Sequence, residues 1–188
     1  MIKIAIREIR KDKDEILYKK CKKVEEIDAK TLELIEDLKD TMYKYDGIGI
    51  ASPQVGILKQ ILIYDIEYIE EEGVKNPKVL INPVITKYSK KIITTEEGCL
   101  SFPDYFGYVD RPDNVIVKGY NEKFEEVIID AKGLEAVVLQ HEIDHLNGKV
   151  FTEVAYDMYY GERPEELTQK YYGKSKSKKN NKKSKKQR

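Results

Sequence analysis

The chain has two histidines, and both fall in one pentapeptide, His141-Glu142-Ile143-Asp144-His145. On a helix, residues four apart share a face one turn above each other, so the two imidazoles can bind one ion while Glu142 stands beside it. Leu134, Val138, His141 and His145 follow at steps of four, three and four, which puts the imidazoles on the apolar stripe. The spacing predicts a helix from Gly133 to Asn147, ended by Gly148 as its C-cap. A buried histidine is usually an ordinary core residue with its hydrogen bonds satisfied. Here a core would have to satisfy four ring nitrogens and a carboxylate on one stripe, and a bound metal ion accounts for them more simply.

A catalytic site of this kind takes three protein ligands and leaves a position open for water. No histidine follows His145, so the third donor is a carboxylate or a thiolate. Glu153, Glu162 or Glu165 would complete a two-histidine, one-glutamate set. Cys99 would supply a thiolate from Glu97-Gly98-Cys99-Leu100-Ser101, just past a predicted strand, where Gly98 admits another backbone and the strand end holds the thiol firmly. Cys21 is the weaker candidate. It lies among Lys19, Lys20, Lys22 and Lys23 with no turn chemistry to aim it, and reads as a partly buried small hydrophobe. Two cysteines so far apart make no disulfide framework.

The rest of the chain predicts an α+β fold, with antiparallel strands packed around a central metal-binding HExxH helix and helices near both termini. Ile27, Leu34, Ile35, Leu38, Met42 and Tyr45 fall mostly at helical steps after Asp28, a suitable N-cap, and predict a helix over Ala29 to Tyr45. Gly47 to Ile50 breaks that pattern, and Pro53 biases Ser52 toward extended or looped backbone. Strands are predicted over Gln60 to Ile66, Val79 to Tyr88, Lys91 to Glu96, Asn114 to Tyr120 and Phe124 to Ala131, with turn signals at Asn82-Pro83 and Asn121-Glu122. A third helix is predicted over Glu162 to Tyr172, with Pro164 in its first turn.

With 188 residues the chain has the length of one domain. Its 34 basic and 34 acidic residues cancel on paper only, because the stretch from Lys174 to Arg188 holds nine basic residues and no acidic one. That stretch has nothing apolar to bury and reads as a solvated tail. Residues 1–173, the expected catalytic domain, then carry 25 basic against 34 acidic residues, a net of −9. The tail suits contact with RNA or the ribosome, or only solubility. No apolar run reaches the roughly 18 residues of a membrane helix, and residues 1–13 scatter charges where a signal peptide needs an apolar core. The expectation is a soluble, cytoplasmic protein that does not engage membranes.

Three segments carry a resemblance: Gly47-Ile48-Gly49-Ile50-Ala51-Ser52-Pro53-Gln54, Glu97-Gly98-Cys99-Leu100-Ser101 and Gln140-His141-Glu142-Ile143-Asp144-His145. In order and spacing they resemble the signature motifs of the peptide deformylase family, and Val109 to Pro112, with Arg111, resembles the segment after the cysteine motif. The likeness runs from about Ile6 to Phe151 and departs at Ser52, where the family usually has alanine. It implies hydrolysis of the N-formyl group from the formyl-methionine of nascent polypeptides, releasing formate. It implies one divalent metal ion on Cys99, His141 and His145, natively ferrous iron (Fe2+), with zinc, nickel or cobalt also accepted by such donors. Glu142 would be general base and then general acid, with the Gln54 amide and the Leu100 N–H stabilising the oxyanion. Ile48, Leu134, Val137 and Val138 match the methionine pocket, with Glu97 and Gly98 at its rim. Gly47 and Gly49 would permit close approach of an extended peptide. Asp144 and Arg111 are candidates for orienting the histidines. The alternatives are an HExxH metallopeptidase using a downstream glutamate, and a non-enzymatic RNA- or ribosome-associated module.

Overall fold

The computed structural model describes residues 5–70 and 74–173. The basic segment 174–188, expected as a solvated tail, lies outside the described residues. Two antiparallel sheets enclose one helix. The larger has the strand order β1 (Gly49–Ala51), β2 (Ile61–Tyr64), β3 (Lys78–Tyr88), β6 (Asn114–Tyr120), β7 (Glu126–Lys132). The smaller has the order β4 (Ile92–Cys99), β5 (Phe102–Pro112), β8 (Tyr156–Tyr160).

The larger sheet is covered on both faces. Successive side chains of a strand point to opposite sides, and β2 shows the result: Ile61 and Ile63 pack with Leu34, Ile35, Leu38 and Met42 of helix α1 (Ala29–Lys44), while Leu62 and Tyr64 pack with Ala136, Leu139 and Ile143 of helix α3 (Leu134–Leu146). This is why the β2 sequence is apolar without alternation. Asp28 caps α1, its carboxylate accepting from the Thr31 N–H at 2.7 Å. Helix α3 touches β1, β2 and β7 of one sheet and β5 of the other, so it occupies the centre of the molecule.

The α+β class, the central HExxH helix and the terminal helices agree with expectation, while several details differ. Helix α3 is buried almost all round, not along one stripe, because it meets both sheets; its first residue, Leu134, is 40% exposed. Asn82-Pro83 does not end a strand. It forms a bulge within β3, with Asn82 at φ 51° and its side chain bonded to both the N–H and the carbonyl of Val24, at 2.9 and 2.8 Å. Ser52–Val55 forms a 3-10 turn that already includes Ser52, since proline is compatible with a first turn. Strand β4 runs on to Cys99. The C-terminal helix α4 (Glu165–Tyr172) starts after Pro164, which caps it instead of lying in its first turn. Strands β5 and β8 and the short helix α2 (Glu67–Glu70) are additional to the elements that the sequence predicts. In β5, Pro103, Gly107 and Pro112 read as breakers, and pairing with β4 and β8 overrides them.

Candidate active site

Cys99 ends β4, where the pairing with β5 shifts register between Gly98 and Cys99. A shift of this kind re-aims a side chain, and here the thiol meets the histidine face of α3. Cys99 Sγ lies 3.2 Å from His145 Nε2, and ligand atoms of Cys99, His141 and His145 all lie within 4.8 Å of one another. Among the described residues this is the one cluster of donors that suits an ion. Glu153, Glu162, Glu165 and Cys21 do not join it. One sulfur and two imidazoles, mostly shielded from solvent, form a donor set that fits a borderline-soft divalent metal.

Behind His141 stands a buried ion-pair chain. His141 Nδ1 lies 2.8 Å from Glu97 Oε2. Arg111 donates from Nε to Glu97 Oε1 at 2.5 Å and from a terminal nitrogen to Oε2 at 3.0 Å, and its other terminal nitrogen reaches Asp144 at 2.9 Å. Burial works against the charge on Glu97, but the bonds from His141 and Arg111 outweigh it and hold the carboxyl down at about 2. A permanently charged acceptor fixes the Nδ1–H tautomer of His141 and leaves Nε2 for an ion. Burial also opposes a charge on His141, yet its contacts with Cys99 and Glu97 raise its pKa, so this point in the molecule attracts positive charge. Burial, the positive charge that His141 draws while no ion is bound, and Arg111 together lower the pKa of His145 well below its ordinary value, which favours the neutral, ligating form. His145 Nδ1 has no hydrogen-bond partner among the described residues. Glu97 thus does more than the rim role implied for it, and the sequence contained no signal to connect it with His141.

Glu142 is buried beside the donors, and burial pushes its carboxyl up to about 7. Gln54 is held by its Oε1, which accepts from the Ala51 N–H at 2.8 Å, while its Nε2 faces Cys99 Sγ at 3.5 Å and Ser101 Oγ at 3.3 Å. These groups open on a cavity of about 600 Å³. Ile48, Gly49, Gly98, Leu134, Val137 and Val138 are all on its wall, together with Glu97, Leu100 and Gln54. Tyr105 and Phe106 also line it, and they carry no local signal because their strand, β5, has none.

A helix carrying HExxH, completed by a strand-end cysteine and opening on a largely apolar cavity, defines a metal-dependent hydrolase. The polypeptide deformylase family model matches residues 6–159. The chain is 50% identical to peptide deformylase 1 of Clostridium acetobutylicum over 150 residues, 80% of this chain and 95% of that one. It is similar to the crystal structure of peptide deformylase from Thermotoga maritima, with 37% identity, a TM-score of 0.75, and coverage of 81% of this chain and 99% of that one. It is likewise similar to the Ehrlichia chaffeensis peptide deformylase in complex with actinonin, with 37% identity, a TM-score of 0.76, and coverage of 82% and 91%. The chain belongs to the polypeptide deformylase family, metal-dependent enzymes that remove the N-formyl group from the N-terminus of nascent polypeptides. This membership, with Cys99 and not a downstream glutamate grouped with the two histidines, sets aside the metallopeptidase and the non-enzymatic module.

Proposed function

We propose that in deformylation Cys99, His141 and His145 hold one divalent ion, Glu142 carries the proton, and Gln54 with the Leu100 N–H stabilises the oxyanion. The observation that supports this reading is the meeting of a β4 thiol with both α3 imidazoles beside a cavity whose wall includes Cys99, His141 and Glu142. Cys99, His141 and His145 would hold the ion, and its Lewis acidity would make water a better nucleophile and the formyl carbon a better electrophile. A carboxyl near 7 can take a proton from the attacking water and return it to the departing amine. The Gln54 amide is pre-set by its bond from Ala51, so little reorganisation is needed as charge develops on the formyl oxygen; such donors are worth about 3 to 4 kcal/mol each. Ile48, Leu134, Val137 and Val138 would take the methionine side chain, with Glu97 and Gly98 at the edge and Gly49 beside the peptide.

Thiolate and imidazole donors accept ferrous iron, zinc, nickel or cobalt, and ferrous iron is the ion we assign natively, on the resemblance stated above. Residues 1–173 form the proposed catalytic domain and 174–188 a basic tail whose nine cations suit contact with ribosomal RNA. A cytoplasmic setting is proposed because nascent chains are the substrate; among the described residues no helix is long and apolar enough to cross a membrane.

The test is formate release from formyl-Met-Ala-Ser. Glu142→Ala should keep the metal and lose about 10²- to 10⁴-fold in rate. Full turnover by that variant would overturn the reading.

A further inference from the structure

We propose that Gly49 is a positioning residue for Glu142: the missing side chain at position 49 is the space that the Glu142 carboxylate occupies. This rests on the reading of Glu142 as the proton carrier.

Glycine in a strand weakens it and calls for a reason. Backbone conformation is not the reason at Gly49. Gly56, Gly133, Gly148, Gly161 and Gly173 have positive φ, and Gly49 does not. Space is the reason. A Cβ at position 49 would overlap Glu142 Oε1, and would stand 2.9 Å from Cδ and 3.1 Å from Cγ. The nearby Gly47 makes room for a different neighbour, since a Cβ there would come 2.9 Å from Leu100 Cδ1. The two glycines of Gly47-Ile48-Gly49 therefore serve two different side chains of the site.

Hydrogen bonds do not anchor the carboxylate. Among the described residues Glu142 Oε2 has no hydrogen-bond partner, whereas Glu97 and Gln54 are each held by several bonds. Glu142 is only 5% exposed and protein packs around most of it, so the direction left open to the carboxylate is the cavity it lines. Its position is set by walls, and the floor of β1 at Gly49 is one of them. A methyl group there would displace the carboxylate from the reacting water. The competing explanation is that Gly49 is bare so that substrate backbone can approach it, which would appear in substrate binding.

The experiment is a double-mutant cycle on the metal-loaded enzyme, with Gly49→Ala and Glu142→Asp measured singly and together. Gly49→Ala should lower kcat about 100-fold, the cost of a small misplacement of a reacting group, with metal content unchanged and any change in KM much smaller than the change in kcat. In the Glu142→Asp background, where the carboxylate is one methylene shorter, Gly49→Ala should cost far less. If Gly49→Ala lowers Tm, Glu142→Asp should recover much of the loss, because it removes Oε1, the atom with the closest overlap. A crystal structure of Gly49→Ala should show the carboxylate turned away from its position here. An equal loss in both backgrounds, a rise in KM with kcat intact, or a Tm loss that Glu142→Asp does not relieve would each overturn the proposal. Activity in Glu142→Ala would instead sink the underlying assignment of the proton carrier, so the two failures are distinguishable.

Discussion

Glu97 holds Arg111 through both carboxylate oxygens, at 2.5 and 3.0 Å, with both side chains almost wholly out of water. Two buried charges are tolerated only while they neutralise each other. The same carboxylate also faces His141 at 2.8 Å, so the pair joins the stability of the fold to the geometry of the site.

Arg111→Met should therefore act twice. It leaves Glu97 buried without its cation, at a cost of about 3 to 5 kcal/mol in stability. It also frees the acceptor that orients His141, which should weaken metal affinity about 10- to 100-fold. Denaturant unfolding and metal competition with a chelator read the two effects separately. Adding Glu97→Gln should recover part of the stability and none of the affinity.

The two thiols should behave as opposites. Burial raises the Cys21 thiol to about 11, with a bond to Ser52 acting weakly the other way. Cys21 is packed in the core and its N–H donates to the Leu146 carbonyl at 2.9 Å. In the folded protein iodoacetamide should modify Cys99 once metal is removed and spare Cys21, as read by mass spectrometry of labelled peptides. Cys99→Ala should lose the metal and Cys21→Ala should keep it. The raised pKa also has a consequence for stability. Unfolded chain releases the Cys21 proton near its ordinary 9.0 while the folded state keeps it to about 11. The stabilisation is thus complete below pH 9 and declines as pH rises across that window, by on the order of 2 kcal/mol. Cys21→Ala should flatten that part of the alkaline stability profile.

Removing residues 174–188 should leave turnover of small formyl peptides unchanged, because the site draws on β1, β4, β5 and α3. It should reduce binding to ribosomes or RNA, and the intact chain's binding should fall steeply with salt, as release of counterions requires. A large loss of small-peptide turnover on truncation would show that the tail belongs to the catalytic unit.

Some of this molecule is written in local pattern. His141, Glu142 and His145 declare themselves because four-residue spacing on a helix is a short-range property. Helix α1, with its Asp28 cap, and the β-branched strands β2 and β6 are read the same way. Strands β5 and β8 were not legible: Pro103, Gly107 and Pro112 argue against a strand locally, and only pairing with neighbours makes one. The turn signal at Asn82-Pro83 was correct about an unusual backbone angle and wrong about its effect, because β2 and β6 continue the strand on either side of the bulge.

The site divides in the same manner. From residues alone, Cys99 and three downstream glutamates were open as the third donor. The structure groups Cys99 and none of the glutamates with the histidines, through a register shift at the end of β4, a long-range feature that turns the thiol toward α3. Glu97 behind His141, and Gly49 beneath Glu142, join residues 44 and 93 positions apart. Sequence determined which chemical groups this chain possesses and which of them share a helix face. Tertiary structure decided which groups meet, which charges are neutralised out of water, and where a missing side chain leaves room for a carboxylate, because each depends on packing between segments that local propensity does not encode.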